Sequence, residues 1–158
     1  MTLHLRDATN ADIDFLAAML LEAANWREDK QTATPQSITN STYLTDWKRS
    51  SDFGFLAHVD DKPVGAAWAR FMTVQDPGYG FVDERIPELS MAVVSTQRGK
   101  GVGRILLERV IKASIDRGLE ALSLSVEDEN ERARVLYVSN GFVVTGRIGN
   151  SDTMVLRL

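Results

Sequence analysis

Residues 97–104 read QRGKGVGR and lie between an apolar run, Leu89 to Val94 (LSMAVV), and the stretch ILLERVIKASIDRG. A strand that ends in glycines and feeds a helix leaves backbone N–H groups unpaired at the positive end of a helix dipole, an arrangement that binds phosphate. Glycine also removes the Cβ that would hold an oxygen ligand away from the backbone. The segment predicts an anion cradle at a strand-to-helix turn.

Charge distribution supports a small polyanion over a large one. The 158 residues carry a net charge of −4, against the basic footprint that nonspecific nucleic-acid binding requires. Between residues 97 and 117, however, Arg98, Lys100, Arg104, Arg109, Lys112 and Arg117 face only Glu108 and Asp116, a local +4. Taken alone, such a cluster is more often a solvated helix face. There are 0 cysteines, which excludes disulfides, thiol catalysis and zinc–thiolate sites and fits a reducing compartment. No run approaches the roughly 18 apolar residues of a membrane span, and the N-terminus lacks a signal-like apolar region. These features predict one soluble cytoplasmic domain over 1–158, with no metal and no membrane or nucleic-acid partner; the triplet Asn40-Ser41-Thr42 is then no glycosylation site.

Periodicity predicts the order of elements. Met1 to Asp7 reads as a first strand, and Thr9-Asn10-Ala11-Asp12 as a helix start before the apolar face of Ile13, Leu16, Ala17, Leu20 and Leu21. Asn25 to Thr42 reads as a long loop, followed by a short helix near Tyr43 to Lys48. Phe53 to Val59 and Val64 to Val74 form a predicted hairpin around Asp60-Asp61-Lys62-Pro63. Leu89 to Val94 is apolar enough for a strand buried on both faces. Val102, Ile105, Leu106, Val110 and Ala113 mark a helix closed by Gly118. Leu122, Leu124 and Val126 alternate as a strand, Asn130 caps a helix that Gly141 ends, and Phe142 to Ile148 with Thr153 to Leu158 make a final hairpin. The expected class is α/β (α+β), a mixed sheet of six or seven strands flanked by about four helices.

Spacing narrows the phosphate ligand. A Walker loop needs GxxxxGK before Ser or Thr, which is absent, and in a GxGxxG fingerprint counted from Gly99 the third glycine position holds Arg104. Arg98-Gly99-Lys100-Gly101-Val102-Gly103 instead resembles the (Q/R)xxGx(G/A) pyrophosphate loop of the GNAT superfamily of acyl-CoA-dependent N-acyltransferases. Downstream, Asn130-Glu131-Arg132-Ala133, Leu136-Tyr137 and Gly141-Phe142 resemble that family's NxxA, LY and GF signature. Ser95 and Gln97 depart from the family's usual Pro and aromatic or His, at positions that supply no needed N–H.

The resemblance implies acetyl-CoA as cosubstrate. Backbone from Arg98 through Gly99, Lys100, Gly101, Val102 and Gly103 to Arg104 would hold the pyrophosphate. The strand containing Met91, Ala92 and Val93 would pair with the pantetheine arm, and Asn130 and Ala133 would line its other side. Tyr137 is implied as the acid toward the leaving thiolate, although on helical pattern alone it is a core aromatic. Glu88, just before the central strand, resembles an acid that acts as general base, often through water; a solvated strand-end carboxylate is the alternative. His4 and His58, at the chain start and beside a turn, offer no Ser–His–Asp arrangement. The family's acceptor regions correspond to Asn25–Tyr43 and Asp76–Glu88, which offer Trp26, Tyr79, Phe81, Asp83 and Glu84: aromatic walls with acids suited to an ammonium, or ordinary loop residues. The expected reaction is acetyl transfer to a primary amine of a small molecule, amino acid or peptide. A noncatalytic acyl-CoA sensor is the alternative. The family's frequent dimers add a homodimer to the expectations.

Overall fold

The computed structural model describes residues 2–26, 33–39 and 41–158. Its strands follow the hydrogen-bonded order β1-β2-β3-β4-β5-β7-β6, a seven-stranded mixed sheet. These are β1 (Leu3–Asp7), β2 (Phe53–Val59), β3 (Lys62–Arg70), β4 (Glu88–Val93), β5 (Ala121–Glu127), β6 (Val143–Ile148) and β7 (Ser151–Arg157). Helices α1 (Ile13–Ala24), α2 (Pro35–Thr39), α3 (Val102–Asp116) and α4 (Glu131–Ser139) complete it. The chain forms two compact units, one of Met1–Ala69 with Ser90–Val110, the other of Arg70–Leu89 with Ile111–Leu158.

In the first unit, β2 pairs antiparallel with both β1 and β3. The β2–β3 turn is made by Asp60 and Asp61, both at positive φ (50° and 68°), the handedness that matches the twist of a two-residue hairpin. Helix α1 is preceded by a short 3-10 turn at Asn10–Asp12 with a full capping box: Thr9 N–H donates to Asp12 Oδ2 (2.8 Å), and Ala11 N–H donates to Thr9 Oγ (3.2 Å). Leu16, Met19 and Leu20 of α1 meet Ile38, Leu44, Leu56, Ala66 and Trp68 in the core.

Several expectations change. The Asn25–Thr42 stretch contains helix α2, while residues 27–32 and Asn40 lie outside the described residues, the Asn40 triplet with them. Tyr43 to Lys48 forms turns, with Ser41 C=O accepting from both Leu44 and Thr45; Asp46, at φ 60°, breaks any helix there. Ile105 is 38% exposed, and Leu107 takes its place in the buried stripe of α3. Of the central strand only Glu88 and Leu89 are buried, while Ser90 to Val94 are half-buried; Gly65 packs close against it, where a Cβ would lie 3.1 Å from Ala92 O and from Leu106.

In the second unit, β5 pairs antiparallel with β7 along its whole length, and β6 pairs with β7's other edge. Strand β4 joins β5 in parallel at Glu88 opposite Ser123. Ile86, Ala121 and Val155 form a buried cluster here.

Candidate active site

The glycine loop is a turn over residues 98–101 that runs directly into α3. Gly99 and Gly101 sit at φ +76° and +85°, where an L side chain is strained, although each has open space for a Cβ. Conformation, not room, demands glycine at both. The first bond into the helix is Ile105 N–H to Gly101 C=O (3.1 Å), which leaves the amides of Val102 and Gly103 without an intrahelical acceptor. No acid occupies the first turn of this 15-residue helix, so nothing there competes with an anion. The residues present fit a pyrophosphate cradle.

The cations around the loop divide by partner. Arg98 turns to α1, donating to Glu22 Oε2 (2.9 Å) and to Val93 O (3.2 Å). Arg109 lies 4.2 Å over the Phe55 ring, Lys112 pairs with Asp116, and Arg117 donates to Ala113 O. Lys100 is exposed and has no ion pair among the described residues, which leaves its ammonium available to an outer phosphate. Met91, Ala92 and Val93 are half-buried on β4 in this same unit, and Trp26 is half-buried at the end of the α1 region.

The second unit carries the remaining site residues. Asn130 occupies the N-cap position of α4 without a capping side-chain bond, contrary to its expected role, so Glu131 opens the helix and the Asn130 amide stays available. Ala133 and Tyr137 are half-buried on α4. Gly141, at φ +98°, ends the helix, and Phe142 N–H returns to Tyr137 C=O (3.1 Å) while the two rings pack at 5.9 Å. The Gly-Phe pair thus fixes the turn from which Tyr137 projects. Burial pushes the Tyr137 phenol up to about 12.

Glu88 is buried (2% exposed), and its Oε2 accepts from Gly80 N–H (3.1 Å). Gly80 can reach it because it packs directly on β5: a Cβ there would fall 2.5 Å from the Leu124 carbonyl carbon. Of the acceptor-wall residues in this unit, Tyr79 is exposed and Phe81 half-buried. Asp83 is paired to Arg85 (3.0 Å), whose guanidinium holds the carboxyl below the ordinary carboxylate range, and Glu84 Oε2 accepts from Val74 N–H (3.0 Å). Both acids therefore already have work inside their loop.

The model of the Acetyltransferase (GNAT) family matches residues 17–142, a stretch that includes the glycine loop, the central strand and Tyr137. The chain belongs to the GNAT acetyltransferase family. It is 35% identical over 107 residues to the mycothiol acetyltransferase of Thermobifida fusca, a match covering 66% of this chain and 32% of that protein. An N-alpha-acetyltransferase MAK3 of Arabidopsis thaliana is 27% identical over 76% of this chain and 59% of its own. The chain thus spans about a third of the first of these relatives and less than two thirds of the second. A fuller match, 26% identical over 94% of this chain and 84% of the other, is the L-methionine sulfoximine/L-methionine sulfone acetyltransferase of Pseudomonas aeruginosa. By fold it is similar to yncA of Salmonella typhimurium, solved with acetyl-CoA, at a TM-score of 0.75 and 20% identity over 100% of this chain and 95% of that one.

Sequence reasoning about this GNAT chain missed three residues. Glu22 belongs to no motif, and only the fold brings it to Arg98. Gly80 lies in the Asp76–Glu88 acceptor region with no motif of its own, and its close approach to β5 is a tertiary fact. Ser123 read as the polar half of an alternating strand, yet it is fully buried beside Glu88 in register.

Proposed function

We propose that residues 1–158 act as one acetyl-CoA-dependent N-acetyltransferase domain that acetylates the primary amine of a small molecule, most closely an amino acid. The observation that carries this reading is the glycine turn at positive φ opening onto the bare first turn of α3, within the family match. Acetyl-CoA supplies the acyl group activated as a thioester. Residues 98–104 bind its pyrophosphate through backbone amides, with Lys100 and Arg104 toward the outer phosphates; Arg98 joins them only by leaving Glu22. Backbone of Met91, Ala92 and Val93 receives the pantetheine arm, with Asn130 and Ala133 along it.

An alkyl amine of pKa about 10.4 is mostly protonated near pH 7, and its neutral form costs roughly 4.6 kcal/mol. Glu88 as general base lowers that barrier by taking the amine proton as the C–N bond forms. Tyr137 serves the departing sulfur. Full transfer from a phenol near 12 to a thiolate of pKa roughly 8.5 is uphill by about 5 kcal/mol. Tyr137 therefore works by donating a hydrogen bond as the C–S bond breaks, and regains from solvent any proton it yields.

The acceptor class draws on the sulfoximine/sulfone relative and on an L-amino acid N-acyltransferase of Escherichia coli, 38% identical over 42% of this chain. An apolar pocket of about 180 Å³, lined by Ala17, Ala18, Leu21, Pro35 and Ile38, suits a compact apolar side chain. Trp26, Tyr79, Phe81, Asp83 and Glu84 remain the proposed acceptor walls. The absence of cysteine suits the cytoplasm; no helix among the described residues is long and apolar enough to cross a membrane.

A homodimer through β6 completes the reading. This edge strand is exposed at every residue, with Val143 at 59%, Val144 at 52% and Ile148 at 44%. Its one charge, Arg147, is already paired to Asp128 and Asp152. Antiparallel pairing with a second copy then meets no unpaired like charge, and it covers an edge that otherwise invites aggregation. Thiol release from acetyl-CoA with L-methionine sulfone and a panel of amino acids and small amines tests the activity; release that is independent of any amine would refute it.

A further inference from the structure

The chemistry above leaves one buried hydroxyl without a task. Ser123 is 0% exposed, and its Oγ has no hydrogen-bond partner among the described residues. Buried hydroxyls in folded proteins are almost always satisfied, and a water held by two or more polar groups is the usual means where protein atoms do not reach. The sheet says which second group is at hand. Ser123 stands opposite Glu88 in the parallel β4–β5 ladder, and opposed residues project to one face from strands about 4.8 Å apart. The Gly80 amide closes the same corner, held on β5 by its contact with Leu124 and donating to Glu88 Oε2 (3.1 Å). Arg70, 1% exposed at the end of β3, is the other buried charge in this unit.

We propose that Ser123 is a positioning residue for Glu88: its hydroxyl holds a buried water on the carboxylate, and that water relays the acceptor's proton. The inference rests on the reading of Glu88 as general base. In the step, an N–H bond of the attacking amine breaks, the water gains one proton as it passes one on, and an O–H bond forms on Glu88. Gly80 fixes one carboxylate oxygen while Ser123, through the water, orients the other.

The test reads Glu88 directly, whatever the acceptor. Protein labelled with ¹³C at glutamate Cδ is titrated by NMR, and Glu88→Gln assigns the signal. Loss of a donor to the charged carboxylate raises its midpoint. Ser123→Ala, which only removes an oxygen, is expected to raise that midpoint by roughly one unit, and Ser125→Ala on the same strand to leave it within a few tenths. An unchanged midpoint in Ser123→Ala overturns the proposal. Acetyl transfer by Glu88→Gln, scored on the same amine panel, separates the two readings. Wild-type rates in that variant remove Glu88 as base and the relay with it, even where the midpoint moves. A static midpoint beside an inactive Glu88→Gln removes the water bridge alone.

Discussion

Tyr137 carries the clearest pH consequences. Its phenol is held up to about 12, against an ordinary value of 10.0, so the donor form persists across the working range and adds no alkaline limb to kcat below about pH 11. Between pH 10 and 12 the unfolded chain loses a proton that the folded chain keeps. The stability this group contributes is therefore complete below pH 10 and falls as pH rises toward 12; Tyr137→Phe should flatten that decline in thermal melts. The same variant is expected to lower kcat by about 10- to 100-fold with KM for acetyl-CoA within twofold. Gly101→Ala forces a side chain onto φ +85° and should weaken CoA binding about tenfold by calorimetry, with the circular dichroism spectrum unchanged. The glycines were legible in the sequence because anion cradles need them at fixed spacing. Asn130 was legible as the N-cap position but its side chain makes no capping bond, since cap preference is a statistical property of a position and the bond itself depends on local dihedrals.

At the scale of elements, two contacts hold the site's supports. Gly80 seats its loop against β5 so closely that a Cβ would enter the Leu124 backbone. Gly80→Ala should cost more than about 2 kcal/mol of stability in denaturant titration and should also reduce turnover by displacing the donor to Glu88. The Arg98–Glu22 bridge ties the glycine loop to α1, and a partly exposed pair of this kind contributes at most about 1 kcal/mol. Glu22→Gln is accordingly expected to leave the melting temperature almost unchanged and to tighten CoA binding about twofold, since Arg98 becomes available to phosphate; weaker binding would mean that the bridge shapes the loop instead. Helices α1 and α3 and the buried strands were readable from periodicity because each buries one face or stripe. Helix α2 and the turns at 43–48 were not, because their form comes from packing on the Trp68 core and from single dihedrals such as that of Asp46.

Over the whole molecule, an acidic chain carries a local +4 between residues 97 and 117, which under the proposed function makes electrostatics a steering force more than a binding one. CoA association should slow as salt rises, and Lys100→Ala should remove part of that dependence. The exposed β6 edge predicts a dimer in light scattering that Val144→Lys converts to monomer. Architecture and the glycine turn at positive φ were both legible in the sequence, since the turn's geometry is local. The proposed acceptor pocket was not, because it is assembled from residues of α1 and the α2 region that carry no motif. The central claim is that this loop presents acetyl-CoA to an amine. Its most direct test is thiol release from acetyl-CoA across the amine panel, with Tyr137→Phe alongside and calorimetric binding as control. Amine-dependent release, reduced at least tenfold in the variant, is the predicted result; clear acetyl-CoA binding with no release to any amine, or no binding at all, would contradict it.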